Sequence, residues 1–155
     1  MYYIKTLRDG EVIIINNDIP VHVVLVEAWI KKDDRFLLTK RSEKDSQAPG
    51  KWTVPGGKIE LVVDNDIIEH ALAREVMEKV GIRVSNPRYF SSRSFLRPSG
   101  IHEIGLSFLL DYKSGKAKPL EDQDQVKWVT IDETSVLLDR FWDDVLSCFK
   151  KVSKS

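Results

Sequence analysis

Cysteine is almost missing from this chain: Cys148 is the single one in 155 residues. No intrachain disulfide can form, and no cysteine-based zinc site can be assembled. A reducing, cytoplasmic setting is the simplest expectation. Long apolar runs are missing too. None approaches the roughly 18 residues that suggest a membrane span, and the opening Met1-Tyr2-Tyr3-Ile4-Lys5 lacks the basic and apolar regions of a signal peptide. No membrane partner is expected. Net charge is absent, with 24 bases against 24 acids. Without a bulk field, neither a nucleic-acid polymer nor an anionic lipid surface is the expected partner. A small phosphate pocket stays open. The three histidines, His22, His70 and His102, are scattered along the chain and make no metal set. There is no internal repeat and no low-complexity tract.

What is present suits one globular domain. Apolar residues make up 42% and charged residues 31%, and the length is enough for a hydrophobic core. Residues 2–7 and 11–15 are β-rich runs around Arg8-Asp9-Gly10, a hairpin signal. Asn16-Asn17-Asp18-Ile19-Pro20 then breaks the chain. The β-branched run 21–30 reads as a central strand. Lys31-Lys32-Asp33-Asp34 reads as a turn, and 35–41 as the returning strand. Residues 42–50 form a polar loop ending in Pro49-Gly50. Trp52-Thr53-Val54 is a short strand before the turn Pro55-Gly56-Gly57.

From 66 to 80, Ile67, Ile68, Ala71, Leu72, Val76 and Val80 recur at helical spacing. Asp66 with Glu69 has the form of a capping box, and Gly81 is a stop signal. Strands are expected over 89–96 and 103–112, joined by the turn Arg97-Pro98-Ser99-Gly100. A polar loop over 114–124 and a last strand over 126–131 follow. From Ser135, the residues Leu138, Phe141, Trp142, Val145, Leu146 and Phe149 form a helical apolar stripe. Residues 151–155 are expected to fray. Strands outnumber helices and the helices come late, so the fold class is α+β. The domain division is a hairpin extension over 1–20, a main domain over 21–150, and the tail.

The chemistry concentrates around Gly56-Gly57-Lys58-Ile59-Glu60 and Arg74-Glu75-Val76-Met77-Glu78-Lys79-Val80-Gly81-Ile82. Glu75 and Glu78 are three apart and share one helix face. Two carboxylates aimed the same way beside a glycine loop make a seat for Mg²⁺, or Mn²⁺. A cation held there would neutralise nearby anionic oxygens and acidify bound water. Each acid alone reads as a solvated helix residue with ordinary ion pairs. The spacing, the Pro-Gly-Gly turn and the terminal Gly81-Ile82 coincide, and that coincidence favours a site.

This stretch resembles the Nudix box, the signature of hydrolases that cleave nucleoside diphosphates linked to another group. Its pattern is a glycine, five residues, a glutamate, seven residues, then Arg-Glu-aliphatic-x-Glu-Glu-x-Gly-aliphatic. Leu37-Leu38-Thr39-Lys40-Arg41, Gly50-Lys51-Trp52-Thr53-Val54-Pro55-Gly56-Gly57 and Val126-Lys127-Trp128-Val129 resemble family strings as well. The resemblance therefore covers about 21–131. It implies the Nudix fold, a mixed β-sheet sandwiched between helices. It implies a metal-dependent hydrolase of a small phosphate-containing molecule, with water attacking phosphorus. Glu75, Glu78 and Arg74 would carry the reaction. Gly57, through its carbonyl, would hold metal with Glu75 and Glu78, and Arg74 would orient the acids.

Two departures matter. Lys79 stands where the pattern has its last glutamate. It could pair with Glu75 four residues earlier or touch a substrate phosphate. The loop after Gly57 is also longer. Five residues on, the glutamate position falls at Val63; seven before Arg74, it falls at Asp66, which could replace it or simply cap the helix. Glu60 is a further acid near the loop.

Arg41, Trp52 and Lys79 are the candidate substrate contacts. Arg93 and Arg97 could also bind phosphate, and Tyr89 or Phe95 could stack on a base. Surface solvation and core packing are their ordinary fates. Glu121, Asp122 and Asp124 read as a solvated acidic loop, from which some family members take a base. A catalytically impaired nucleotide-binding or regulatory module is the rival reading, carried by Lys79 and the altered loop. Attack at sugar carbon is a third. The hairpin could add an edge strand, cover the pocket or support a homodimer.

Overall fold

The computed structural model describes residues 2–6, 12–16, 22–97 and 100–154. Strands β1 (Tyr2–Thr6) and β2 (Val12–Asn16) pair antiparallel as a separate two-stranded sheet. The Arg8-Asp9-Gly10 turn, most of the 16–20 breaker and Pro98-Ser99 lie outside the described residues.

Among the described residues the main sheet has seven strands. β3 (Val23–Lys32) runs through its centre, and β4 (Arg35–Arg41) returns after a turn in which Asp33 takes a positive φ of 55°. β3 lies parallel to β8 (His102–Ser114), which pairs antiparallel with the edge strand β7 (Arg83–Leu96). On the other side, β4 pairs with β5 (Trp52–Thr53) and β9 (Gln123–Val129). One parallel pair among antiparallel ones makes the sheet mixed.

The expected turn Pro55-Gly56-Gly57 instead leads into a short strand, β6 (Gly56–Lys58), paired antiparallel to β3. The close approach of backbones explains it. A Cβ on Gly56 would collide with the Val26 carbonyl oxygen and lie 3.2 Å from Glu27 Cα, so only glycine lets the chains come this near.

Period-two alternation divides β3 between two cores. Val26, Ala28 and Ile30 face helix α1 (Ile67–Val80) with Leu37, Phe108 and Leu110. Trp29 faces the opposite side with Phe36, Leu38 and Leu109. α1 covers the first side with Ala71, Leu72, Val76 and Val80. The second side is closed by Leu138, Trp142, Val145, Leu146 and Phe149. The sheet is thus sandwiched between helices, as the family resemblance implied.

The C-terminal stripe is not one helix. α2 (Ile131–Leu137) is started by a capping box, with Thr130 accepting from Glu133 N and the Glu133 side chain accepting from Thr130 N. Leu138 is extended, and the Asp139 carboxylate then accepts from Phe141 N to start a 3₁₀ turn (Arg140–Trp142) that leads into α3 (Asp143–Val152). The break turns Phe141 outward, half exposed at 51%, although the apolar spacing placed it in the core. α3 takes in residues 150–152.

α1 ends where expected, with Gly81 at φ 69° donating to Met77 O, a conformation that suits glycine. Its start differs. Asp66 sits at φ 52° with no side-chain cap bond, so the Asp66/Glu69 capping box is not formed. The left-handed backbone aims the carboxylate away from the amides a cap would satisfy.

Candidate active site

Arg74 is the hub of the site. Its NH1 donates to Glu75 Oε1 at 2.8 Å and to Glu78 Oε2 at 3.3 Å. NH2 donates to the Lys58 carbonyl at 3.1 Å, and Glu60 Oε1 lies 3.8 Å from NH1. One guanidinium therefore ties α1 to the strand and loop after Gly57 and gathers three carboxylates. Glu60, a secondary candidate in sequence, belongs to this group.

Glu75 is buried, at 7% exposure, whereas the Glu78 side chain keeps 42%. Burial pushes the Glu75 carboxyl above the ordinary carboxylate range, against the opposing pull of Arg74. Gly57 lies against this carboxylate. A Cβ there would come within 2.5 Å of Glu75 Oε1 and closer still to the rest of the group. The two glycines thus serve different neighbours: Gly56 the backbone of β3, Gly57 the side chain of Glu75.

Lys79 pairs with the loop acids rather than with Glu75. Its Nζ lies 2.6 Å from Asp122 Oδ1 and 3.2 Å from Glu121 Oε2. Burial lowers the ammonium's pKa, but the two acids outweigh it and hold Lys79 more firmly protonated than usual. Of the two readings the sequence left open for Lys79, the helix pair with Glu75 is not formed, because the 121–122 loop brings two carboxylates to the ammonium. That loop is not simply solvated. Asp124, its neighbour, accepts from Glu43 N at 3.3 Å.

Other candidates lie apart. Arg41 NH2 binds Asp45 Oδ2 at 2.6 Å, and Asp45 also accepts from Gln47 N and Ala48 N. Burial raises the Asp45 carboxyl, but these donors dominate and bring it down to about 2. Arg41 is thereby committed to shaping the 42–50 loop. Trp52 is partly buried against the second core. Asp66 precedes α1 by one residue, about 14 Å along the helix axis from Glu75 at 1.5 Å per residue. Among the described residues no three His, Cys, Asp or Glu side chains form a group that could hold a metal. Glu75 and Glu78, hard oxygen donors three residues apart on α1, are the residues that could hold a divalent cation, with the Gly57 backbone packed directly against the Glu75 carboxylate.

Sequence reasoning missed a buried polar row on the other face of the sheet. Arg93 NH2 donates to Glu27 Oε1 at 2.8 Å, and Ser107 Oγ donates to Glu27 Oε2 at 2.5 Å. Arg97 pairs with Glu103, which is 2% exposed. Arg93 and Arg97, read as surface residues, are each only 15% exposed. Phe141 lies over the Arg93 guanidinium, 3.9 Å from ring centroid to Cζ, and its carbonyl accepts from Arg93 NH1. A lone glutamate inside the apolar run of β3 was the available signal. His22 and His102, distant in sequence, meet with Nδ1 atoms 2.6 Å apart. Tyr89 is exposed, and Phe95 packs edge-on against Phe141.

Comparison with known proteins agrees with this geometry. The family model described as "NUDIX domain" matches residues 21–149. The chain belongs to the Nudix family. Curated relatives include the NAD-capped RNA hydrolase NudC of Photobacterium profundum, 38% identical over 90 residues, which are 58% of this chain and 30% of that protein. NudC of Vibrio vulnificus is 35% identical over 104 residues, 66% of this chain and 36% of that one. The chain spans about a third of the length of these relatives. Among solved structures, a MutT protein from Methanosarcina mazei superposes with a TM-score of 0.73 at 25% identity, covering 86% of this chain and 96% of that one. The MutT Nudix hydrolase of Burkholderia pseudomallei gives 0.71 at 25% identity, covering 83% and 98%. These likenesses bear out the family and the α+β sandwich.

Proposed function

We propose that this Nudix protein hydrolyses a diphosphate bond in a small nucleotide derivative, with a divalent cation, Mg²⁺ or Mn²⁺, held by Glu75 and Glu78. The observation that carries the reading is the Arg74 hub, which gathers Glu75, Glu78 and Glu60 beside Gly57. A bound cation would neutralise phosphate oxygens and acidify water at the site. Arg74 holds the two glutamates in one orientation. Glu75, whose burial raises its proton affinity, accepts the proton of the water that attacks phosphorus. Gly57 is proposed to offer its carbonyl beside them.

The NudC relatives are NAD-capped RNA hydrolases by name, and NAD contains a diphosphate, which supports a nucleoside-diphosphate derivative as substrate class. The balanced charge of this chain supports a small molecule over an RNA polymer. We take residues 21–150 as the catalytic domain, the hairpin before it as an extension that could support a homodimer, and the cytoplasm as the location. No helix among the described residues is long and apolar enough to cross a membrane.

The test is a panel of nucleoside triphosphates, sugar nucleotides, ADP-ribose, NAD and dinucleoside polyphosphates with Mg²⁺ or Mn²⁺, run in ¹⁸O water. Metal-dependent cleavage with label in phosphate is expected. Label in sugar would replace attack at phosphorus with attack at carbon. A second reading, a binding or regulatory module, is favoured by the missing third carboxylate at Lys79. It predicts nucleotide-induced thermal stabilisation with no product from any member.

A further inference from the structure

An ammonium one residue from Glu78 and one helical turn from Glu75 should oppose any cation that those two acids hold. In this fold it is countered. Lys79 Nζ sits between Asp122 Oδ1 and Glu121 Oε2, and its side chain is only 16% exposed. Gln123 Nε2 also donates to Asp122 Oδ1 at 2.9 Å. The loop is fastened to the end of α1 by backbone as well. Leu120 N donates to Lys79 O at 3.0 Å, and Lys118 N donates to Val80 O at 3.1 Å. The pairing therefore joins an already docked loop to a half-buried charge, unlike a loose surface ion pair.

We infer that Lys79 is a positioning residue, and that Glu121 and Asp122 together convert its site from a repulsive charge into a net negative one beside Glu75 and Glu78. One base with two acids carries a formal charge of about −1, the charge a single carboxylate would bring. Lys79 thus does two separable things: it holds the loop on α1, and it brings two acids that more than cancel its own ammonium. This inference rests on the proposed cation site at Glu75 and Glu78.

Mn²⁺ affinity, measured by titration calorimetry or electron paramagnetic resonance at low salt, tests it. The formal charge of the group is −2 in Lys79→Met, −1 in the natural protein, 0 in the triple variant Lys79→Met/Glu121→Gln/Asp122→Asn, and +1 in Glu121→Gln/Asp122→Asn. Affinity is expected to fall in that order, with the double variant about tenfold or more weaker than the natural protein, and the spread should narrow at 0.5 M salt. Amide exchange at Lys118 and Leu120 should accelerate in Lys79→Met even as its Mn²⁺ affinity rises; a purely structural role would not divide the readouts this way. Circular dichroism confirms that each variant is folded. Mn²⁺ binding lost in Glu75→Gln but equal across the four charge states overturns the inference and leaves the cation site standing. No Mn²⁺ binding by the natural protein overturns both.

Discussion

Replacing Gly57 with alanine puts a methyl group where the Glu75 carboxylate lies. The ideal Cβ is within 2.5 Å of Oε1, whereas comfortable contacts begin near 3.5 Å, so the carboxylate must move by about 1 Å. Glu75 cannot retreat freely, because it is buried and bonded to Arg74. Overpacking of this kind costs about 1–3 kcal/mol, or about 3–9 °C in Tm for a domain of this size. Gly57 has no positive φ, so alanine is otherwise acceptable to the backbone. The clash, and not conformation, carries the cost. Urea unfolding followed by tryptophan fluorescence can isolate it in a double-mutant cycle. In a Glu75→Ala background, Gly57→Ala should cost less than about 0.5 kcal/mol, leaving a coupling of about 0.5 kcal/mol or more. An equal cost in both backgrounds would refute the claim that this glycine is there for Glu75.

Trp29→Ala should destabilise the protein by about 3–5 kcal/mol, since Trp29 is 1% exposed and packs against Phe90, Trp142 and Phe149; a loss under 1 kcal/mol in denaturant unfolding would contradict the second core as described. Asp45→Asn should destabilise by about 1 kcal/mol at neutral pH, after allowance for solvent screening. Because the folded carboxyl is depressed to about 2, that contribution is present above about pH 4 and is lost as pH falls toward 2. Parallel stability curves for the two proteins over that range would be inconsistent with it. Thr130→Ala removes the hydroxyl that accepts from Glu133 N and should cost about 0.5–2 kcal/mol, read as a lower urea midpoint; an unchanged midpoint would show that the α2 cap contributes nothing.

The parts of the fold that depend on near neighbours were legible in the sequence. The β3–β4 hairpin, the apolar face of α1 and its end at Gly81 each follow from residues a few positions apart. The pairing of Arg74 with Glu75 and Glu78 came from the family resemblance; one helical turn accounts for Glu78, whereas Glu75 is its chain neighbour. The unread parts depend on distant contacts. Lys79 finds Asp122 43 residues away, and Arg93 finds Glu27 66 residues away; no local pattern says which acid a base will meet. Helical spacing also ran through Leu138 and Asp139, because periodicity records which side chains are apolar and not where a side chain such as Asp139 restarts the backbone. Asp66 was the reverse case, a favoured capping residue whose left-handed backbone prevents the cap.

Once the panel yields a cleaved substrate, its Mg²⁺-dependent turnover should be compared among the natural protein, Glu75→Gln and Glu78→Gln. Each amide keeps the side-chain shape and removes the charge that would hold the cation. Each substitution should remove most of the metal-dependent activity, about 100-fold or more for Glu75→Gln, since about 2.7 kcal/mol of lost transition-state stabilisation corresponds to that factor. Unchanged turnover in both variants would contradict it.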